Sequence, residues 1–510
     1  MKNSNKKLIA IVCSVLLTVC MFMNCASACT MFYAGAATTA DGTMIFGRSE
    51  DFANSRNKIF YVSPAGNHTA GEEYAGCYGF TWTFTHDSYA YTAFRDDNGE
   101  GVGNVCPNCG ETHAHTPYEA AGTNEKGVSI TATETLYPSD APLAVDPYED
   151  EGIEEAEIVT VVLSEAASAQ EALALLTGIY DTVGANNGSG LIIADAQEAW
   201  YIENMSGHEY LAIKLNDSLI FAQPNMSMLG LIDLDDENVL ASPKLIETAQ
   251  AGGFLVGDPD QNTINYALSF CGGSNANARM LNALPYLDPT ADTENGYLIS
   301  NVDADGQIVP FYTGIKPDHL LTIEDAQGYY HISNIGYANN LDTHIFQISG
   351  EGALGTVEWV CMDAAEYGLF VPYYPMLTTD VDVSYKLSTA TAVFSEEKPQ
   401  EGFSYPATVS KRVNGERVQI AGFKTLPEGW QESMYWSYDA LSNLILSGLA
   451  DDAQKAEIVG ALADKQAAIN ADFAAFAATQ PDAETATAWS MTAAQEVHQL
   501  ALDLLGDFAK

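Results

Sequence analysis

Cys29 follows Ala26-Ser27-Ala28, the small-residue pattern at which an N-terminal export signal is cut. Cleavage there would make a cysteine the first residue of the chain. Such a residue carries a thiol and a free α-amine together, with ordinary pKa values of about 8.5 and about 7.7 to 8.0. Near neutrality the amine can take the thiol's proton with little driving force lost, so nucleophile and general base would share one residue. Two other readings stay open on these residues alone. Cys29 is either just a small residue after the cut, or the lipidated cysteine of a lipoprotein, although Ala26 stands where a lipoprotein signal usually has a leucine-like side chain.

A second group with chemical content is Cys106-Pro107-Asn108-Cys109, followed by His113 and His115. Two thiolates and two imidazoles within ten residues form a donor set suited to tetrahedral zinc. The alternatives are a local Cys106–Cys109 disulfide, which an exported protein permits, or a reduced loop with incidental histidines. The expectation is a structural zinc clip and no cofactor for catalysis, because four protein ligands leave the metal no open position. The remaining cysteines argue against a disulfide framework. Cys13, Cys20 and Cys25 precede the cut, and once Cys29 is set aside as a free nucleophile an odd number remains: Cys77, Cys106, Cys109, Cys271 and Cys361. His86, His208 and His344 stand singly and are read as ordinary buried or surface residues.

The elements that must position Cys29 come next in the chain. Residues 1–28 have Lys2, Lys6 and Lys7, an apolar run from Leu8 to Met23 and the small-residue cut site, and are read as a signal peptide. After it, Thr30 to Ala36 and Thr43 to Arg48 are apolar runs on either side of Asp41-Gly42, the pattern of a β-hairpin. The hairpin returns Arg48 to Asp51 to the neighbourhood of Cys29. A guanidinium there favours the thiolate, and the Asp51 carboxylate can hold the α-ammonium.

From this point the sequence resembles the N-terminal-nucleophile (Ntn) hydrolases of the dipeptidase D type, a bacterial cysteine peptidase family. The likeness starts with Cys29-Thr30 and Phe46-Gly47-Arg48-Ser49-Glu50-Asp51. It continues through Ala121 to Val128 with Thr131 to Thr135, Gly207 to Lys214, Pro224-Asn225, and Ile232 to Asp236. Asn275 to Arg279, Pro310-Phe311, Lys316 to Asp318, His344 to Gln347, Phe370 to Tyr374 and Tyr435 to Leu444 complete the order. The resemblance implies an α+β fold, the αββα four-layer Ntn sandwich. It implies that Cys29 is the nucleophile, Arg48 and Asp51 its supporting pair, Asn225 the oxyanion donor and Arg279 a positioning or electrostatic group. Glu134 falls near a pocket-lining position and would receive a substrate ammonium. The implied activity is dipeptide hydrolysis through a thioester. A bile salt hydrolase or acylase type of amide hydrolysis is the alternative within the superfamily, and a lipoprotein anchored at Cys29 is the alternative outside it. Two departures bear on substrate detail: Ser49 stands where the family often has asparagine, and Asn225 to Met228 lacks the expected basic residues.

Composition bounds the rest. With 510 residues and 47% hydrophobic content the chain can bury a substantial core. Its formal net charge of −47 disfavours nucleic acid and anionic membranes as partners and favours solubility. No run after the signal is long enough to span a bilayer, so a secreted or cell-surface protein is expected, and the resemblance implies a bacterial one with small peptide substrates. The expected organisation is a catalytic core over 29–378 with the Cys/His loop inserted at about 96–117, an inserted partly β region over 379–427, and a mostly helical segment over 428–510. Gly190 to Ala194, Tyr210 to Leu215 and also Glu157 to Leu163 read as strands, and Ser168 to Thr177 as a helix. Ile458, Leu462, Ile469, Phe473 and Phe476 share one helical face, as do Val497, Leu500 and Leu504. These two faces imply a helical hairpin packed on the body, and only secondarily a homo-oligomer interface.

Overall fold

The computed structural model describes residues 29–52, 57–76, 79–97, 118–271, 278–291, 315–413 and 416–509. The predicted hairpin forms from β1 (Thr30–Ala34) and β2 (Met44–Asp51), with Thr30 opposite Ser49 and Met31 opposite Arg48. Gly42 takes φ 73° in the connecting turn, a left-handed conformation that favours glycine.

Further strands follow in chain order: β3 (Lys58–Ser63), β4 (Tyr91–Asp96), β5 (Glu119–Asn124), β6 (Ser129–Thr133), β7 (Ser189–Ala194), β8 (Ala199–Asn204), β9 (Tyr210–Leu215), β10 (Ile220–Gln223), β11 (Val239–Ala241), β12 (Asn340–Ile348), β13 (Thr356–Met362) and β14 (Val371–Tyr373). They build two antiparallel sheets. The first has the order β10-β1-β2-β12-β13-β14, the second β11-β9-β8-β7-β6-β5-β4-β3.

The period-2 alternation of strand side chains divides the second sheet between two apolar layers. Ile192, Ala194, Tyr201, Leu211 and Ile213 join the layer facing the first sheet, while Leu191, Ile193, Ile202, Tyr210 and Ala212 face helices on the outside. Those helices are α1 (Glu155–Glu165), lying on β5 and β6, and α2 (Ala169–Thr182), lying on β7 and β8. The outer face of the first sheet carries α3 (Ala278–Leu287) at β10 and α4 (Ile323–Tyr330) at β2 and β12. The result is the four-layer αββα arrangement expected from the resemblance.

One sequence expectation is corrected. Glu157 to Leu163 is not a strand but the body of α1, in which every residue from Glu155 to Ser164 is buried. A helix buried all round shows no polar stripe, and its β-branched run is indistinguishable by periodicity from a buried strand. The start is set by a capping box in which Glu154 and Glu157 satisfy each other's backbone N–H groups.

Within 379–427, β15 (Val393–Ser395), β16 (Ser404–Val413) and β17 (Glu416–Thr425) form a three-stranded sheet. It is tied to α5 (Met434–Leu446) through Asp439, which meets Lys424 Nζ at 2.8 Å and accepts from the Tyr405 hydroxyl at 2.7 Å. Two long helices follow, α6 (Asp452–Ala477) and α7 (Ala483–Leu505), and they bury Ile458, Leu462, Ile469, Phe473 and Val497. Phe473 meets Trp359 of β13 edge-on at 5.4 Å, and Ser490 donates to the Pro372 carbonyl of β14 at 2.8 Å. The hairpin therefore covers the outer face of the first sheet at its far edge.

The contact between β2 and β12 leaves no space for a side chain at Gly47, whose added Cβ would lie 2.1 Å from the His344 carbonyl oxygen. Gly47→Ala is therefore expected to destabilise the fold by about 1–3 kcal/mol in denaturant unfolding. An unchanged midpoint would show that the two strands can part without cost.

Candidate active site

The start of β1 places Cys29 at the head of the first sheet, buried, with its side chain on the inter-sheet face together with Met31. Residues directly opposite in an antiparallel pair share a face, so Arg48, opposite Met31, points the same way. Its Nη1 donates to Cys29 Sγ at 3.2 Å. This is the guanidinium-to-thiol approach expected from the hairpin.

Arg48 is fully buried, and each of its five N–H groups has an acceptor. Nη1 also meets Glu155 Oε1 at 3.0 Å, Nη2 meets Glu50 Oε2 at 3.5 Å and the Ala120 carbonyl at 3.3 Å, and Nε donates to Thr131 Oγ1 at 3.0 Å. Glu155 in turn accepts from the Glu134 backbone N–H at 2.7 Å. Behind this group Lys58 joins Glu50 at 2.5 Å, Asp96 at 3.2 Å and Asp342 at 3.6 Å.

Asp51 belongs to the opposite face of β2. Its carboxylate takes Arg279 Nη1 of α3 at 2.6 Å and the Asn340 side-chain amide. Arg279 also donates to Thr30 Oγ1 at 2.9 Å and to the Tyr337 hydroxyl at 2.7 Å. Asp51 and Arg279, joined only by family resemblance in the sequence, are thus one ion pair beside the first residues of β1. Asn225 follows β10, which pairs with β1 so that Met31 faces Gln223. Asn225 lies two residues beyond that pair, where the ladder has ended and the backbone is left-handed at φ 50°. Such a turn ends the strand and is tolerated by asparagine better than by most residues.

The electrostatics are those of charges held in a dry interior. Burial pushes the Cys29 thiol up to about 12, against the pull of Arg48; Glu155, Asp51 and Glu50 push it the same way as burial. Asp51 is pushed up to about 7 by burial, opposed by Arg279 and Asn340. Glu50 also rises to about 7, again from burial and against Lys58. Glu134 lies just past β6, exposed at the surface, and crowding by protein together with the Glu155 carboxylate pushes it up to about 7. Its neighbour Glu154 rises to about 9 through burial and the charges of Glu157, Glu134 and Glu155. The exposed Tyr137 feels both Glu134 and Cys29. Glu134 and Tyr137 are thus exposed groups that the charges of the buried site reach.

The structure brings Cys29, Arg48, Asp51 and Arg279 into one cluster, places Asn225 two residues past the strand that flanks β1, and links Glu134 to the cluster through Glu155. Cys106, Cys109, His113 and His115 lie outside the described residues. Among the described residues no group of His, Cys, Asp and Glu side chains has the geometry of a metal site, and no helix is long and apolar enough to cross a membrane. Sequence reasoning missed Glu155, Tyr137, Thr131 and Asn340. Only Glu155 had a local signal, the acidic run Glu154 to Glu157 before an apolar stretch. His344, read as having no convincing partner, is corrected: it lies between Asp342 and Thr131, at 2.9 and 2.8 Å. A cavity of about 730 Å³ bordered by Tyr33, Lys214, Asp217 and Asp236 lies at the other end of β1 and does not include Cys29.

The family model of peptidase family C69 matches residues 28–296. A probable dipeptidase B of Streptococcus pyogenes serotype M1 is 30% identical over 421 residues, 76% of this chain and 79% of the relative. A probable dipeptidase of Salmonella dublin is 30% identical over 372 residues, 68% of this chain and 81% of the relative. Among solved structures, penicillin V acylase from Agrobacterium tumefaciens aligns at 13% identity with a TM-score of 0.28, covering 68% of this chain and 85% of that one. A mutant of conjugated bile acid hydrolase from Clostridium perfringens gives 13% and 0.29, covering 66% and 89%. The family match begins one residue before the cysteine that Arg48 holds, runs over half the chain, and places this protein in peptidase family C69, a family of cysteine peptidases.

Proposed function

We propose that this protein is an exported dipeptidase whose nucleophile is the thiol of Cys29 and whose general base is the α-amine of the same residue. The observation that carries the reading is the 3.2 Å approach of Arg48 Nη1 to Cys29 Sγ at the head of β1. A thiol pushed up to about 12 is protonated at neutral pH, so attack needs a base close to the sulfur. While Ala28 is attached, the Cys29 nitrogen is an amide and cannot accept that proton. Removal of residues 1–28 by a signal peptidase would free it, and the protein would act outside the cytoplasm, secreted or at the cell surface.

In this mechanism the α-amine takes the thiol proton as the sulfur adds to the scissile carbonyl. The negative charge on the sulfur is balanced by Arg48, and the ammonium that forms is held by Asp51. Arg279 and Asn340 keep that carboxylate in place. The Asn225 side-chain amide and backbone N–H groups receive the oxyanion. Collapse of the tetrahedral adduct breaks the C–N bond, the ammonium gives its proton to the leaving amine, and water hydrolyses the thioester. A free dipeptide carries an α-ammonium, and Glu134, exposed and one hydrogen bond from Glu155, supplies the matching carboxylate. That carboxylate favours a peptide over a bile acid conjugate or an apolar acyl amide.

Cys29→Ser in protein beginning at residue 29 is expected to lower kcat by about 1000-fold or more. One extra residue before an intact Cys29 should do much the same with no loss of thermal stability. Native dipeptide turnover by the extended protein would remove the α-amine from the mechanism.

Asn225→Ala should lower kcat about 100-fold with KM nearly unchanged, the pattern of an interaction made in the transition state. A change confined to KM would take Asn225 out of the oxyanion site.

The raised Glu134 carboxyl gives a pH test with a definite sign. Below about 7 the group becomes neutral and its attraction for an ammonium is lost, so KM for a dipeptide should rise as pH falls through about 7. Glu134→Gln should show the high KM throughout, without that limb. A KM profile identical in both proteins would exclude Glu134 from substrate binding.

A further inference from the structure

Thr131, His344 and Asp342 have no part in the mechanism above, yet all three are fully buried on the inter-sheet side behind Arg48. His344 stands directly opposite Arg48 in the β2–β12 ladder, and Thr131 reaches across from the second sheet. The contacts form a line: Arg48 Nε to Thr131 Oγ1 at 3.0 Å, Thr131 Oγ1 to His344 Nε2 at 2.8 Å, and His344 Nδ1 to Asp342 Oδ1 at 2.9 Å.

The hydrogens along this line are settled by what each group can do. A guanidinium only donates, so Thr131 Oγ1 accepts from Arg48 Nε. A carboxylate likewise only accepts, so the ring hydrogen of His344 sits on Nδ1 and goes to Asp342, and in the neutral ring Nε2 is left as the acceptor for the Thr131 hydroxyl hydrogen. A neutral imidazole is also what the surroundings demand. Burial and the charges of Arg48 and Lys58 hold His344 well below its ordinary value although Glu50 pushes it up, and Phe94 and Phe346 close around the ring at 5.2 and 5.5 Å.

The acceptors of Arg48 divide into two kinds. Glu50 and Glu155 are carboxylates that compete with the sulfur for the positive charge, and Glu50 is itself shared with Lys58. Thr131 is the single neutral side chain among them apart from Cys29. A hydroxyl whose own hydrogen is pinned elsewhere holds the guanidinium plane in direction without neutralising it.

We propose that Asp342, His344 and Thr131 are positioning residues that lock Arg48 through its Nε and thereby aim Nη1 at the Cys29 sulfur. The inference rests on Cys29 being the nucleophile, but its readout is a property of the thiol and not of turnover.

The test uses protein beginning at residue 29, with the pH dependence of iodoacetamide alkylation followed by mass spectrometry on the peptide containing Cys29. Thr131→Val is nearly isosteric and removes both hydrogen bonds. It should raise the alkylation midpoint by about one pH unit and lower kcat about tenfold or more with KM unchanged. Thr131→Ser should restore both, and His344→Phe should match Thr131→Val. Because the two residues act through one line of contacts, the double variant should be no worse than either single one. A folded Thr131→Val protein with an unshifted midpoint would overturn the proposal even if turnover fell. Independent, multiplying losses in the double variant would overturn it too. Failure of the dipeptidase reading would look different: Cys29→Ser would keep its activity while the midpoint shift of Thr131→Val remained.

Discussion

The interaction on which the rest of this structure depends is a positive charge sealed between two β-sheets. Moving an isolated guanidinium into a protein interior costs several kcal/mol even after relaxation, and Arg48 is fully buried. The cost is met only because five acceptors from four strands and one helix converge on it. Cys29 comes from the head of β1, Glu50 from β2, the Ala120 carbonyl from β5, Thr131 from β6 and Glu155 from the first turn of α1. Removing any of them leaves part of a charge unpaired. The stacking of the sheets, the register of the first hairpin and the seating of α1 are thereby coupled to one side chain.

The same constraint explains why so many acidic groups near the site have raised pKa values. Four carboxylates, Glu50, Asp96, Asp342 and Glu155, surround two cations, Arg48 and Lys58. Burial raises Glu50, Asp342 and Glu155, while the cations pull them down. The thiol feels the sum: a nearby guanidinium lowers it, but desolvation and three carboxylates win. A thiol in this setting is not ionised in advance. Acting as a nucleophile, it would need a proton acceptor at contact distance, which under the proposed mechanism is the α-amine of the same residue.

What could be read from the sequence was whatever is encoded locally. The Asp41-Gly42 turn between two apolar runs announced the hairpin, and with it the return of Arg48 to Cys29. The helical faces of Ile458 to Phe473 and of Val497 announced the closing hairpin. The assignment failed where burial is uniform, at Glu157 to Leu163, because a stretch with no exposed face carries no period. The Asp51–Arg279 pair joins residues more than two hundred positions apart and was visible only as family pattern. Thr131, His344 and Glu155 escaped because their significance is a meeting of β6, β12 and α1 around Arg48, which no single segment records.

Strand β2 gives the site a parity. Arg48 and Glu50 point between the sheets, whereas Ser49 and Asp51 point toward the helices, where Arg279 waits. A strand side chain has only these two directions. One residue inserted or lost in β2 ahead of Arg48 would therefore bring Gly47 or Ser49 to the sulfur in place of the guanidinium and at the same time turn the aspartate away from its arginine. A change of length in this part of the chain can be absorbed only in the loop between Ala36 and Thr43, outside the ladder. The number of residues from Cys29 to Arg48 can thus change within that loop, while the alternation that follows Arg48 cannot.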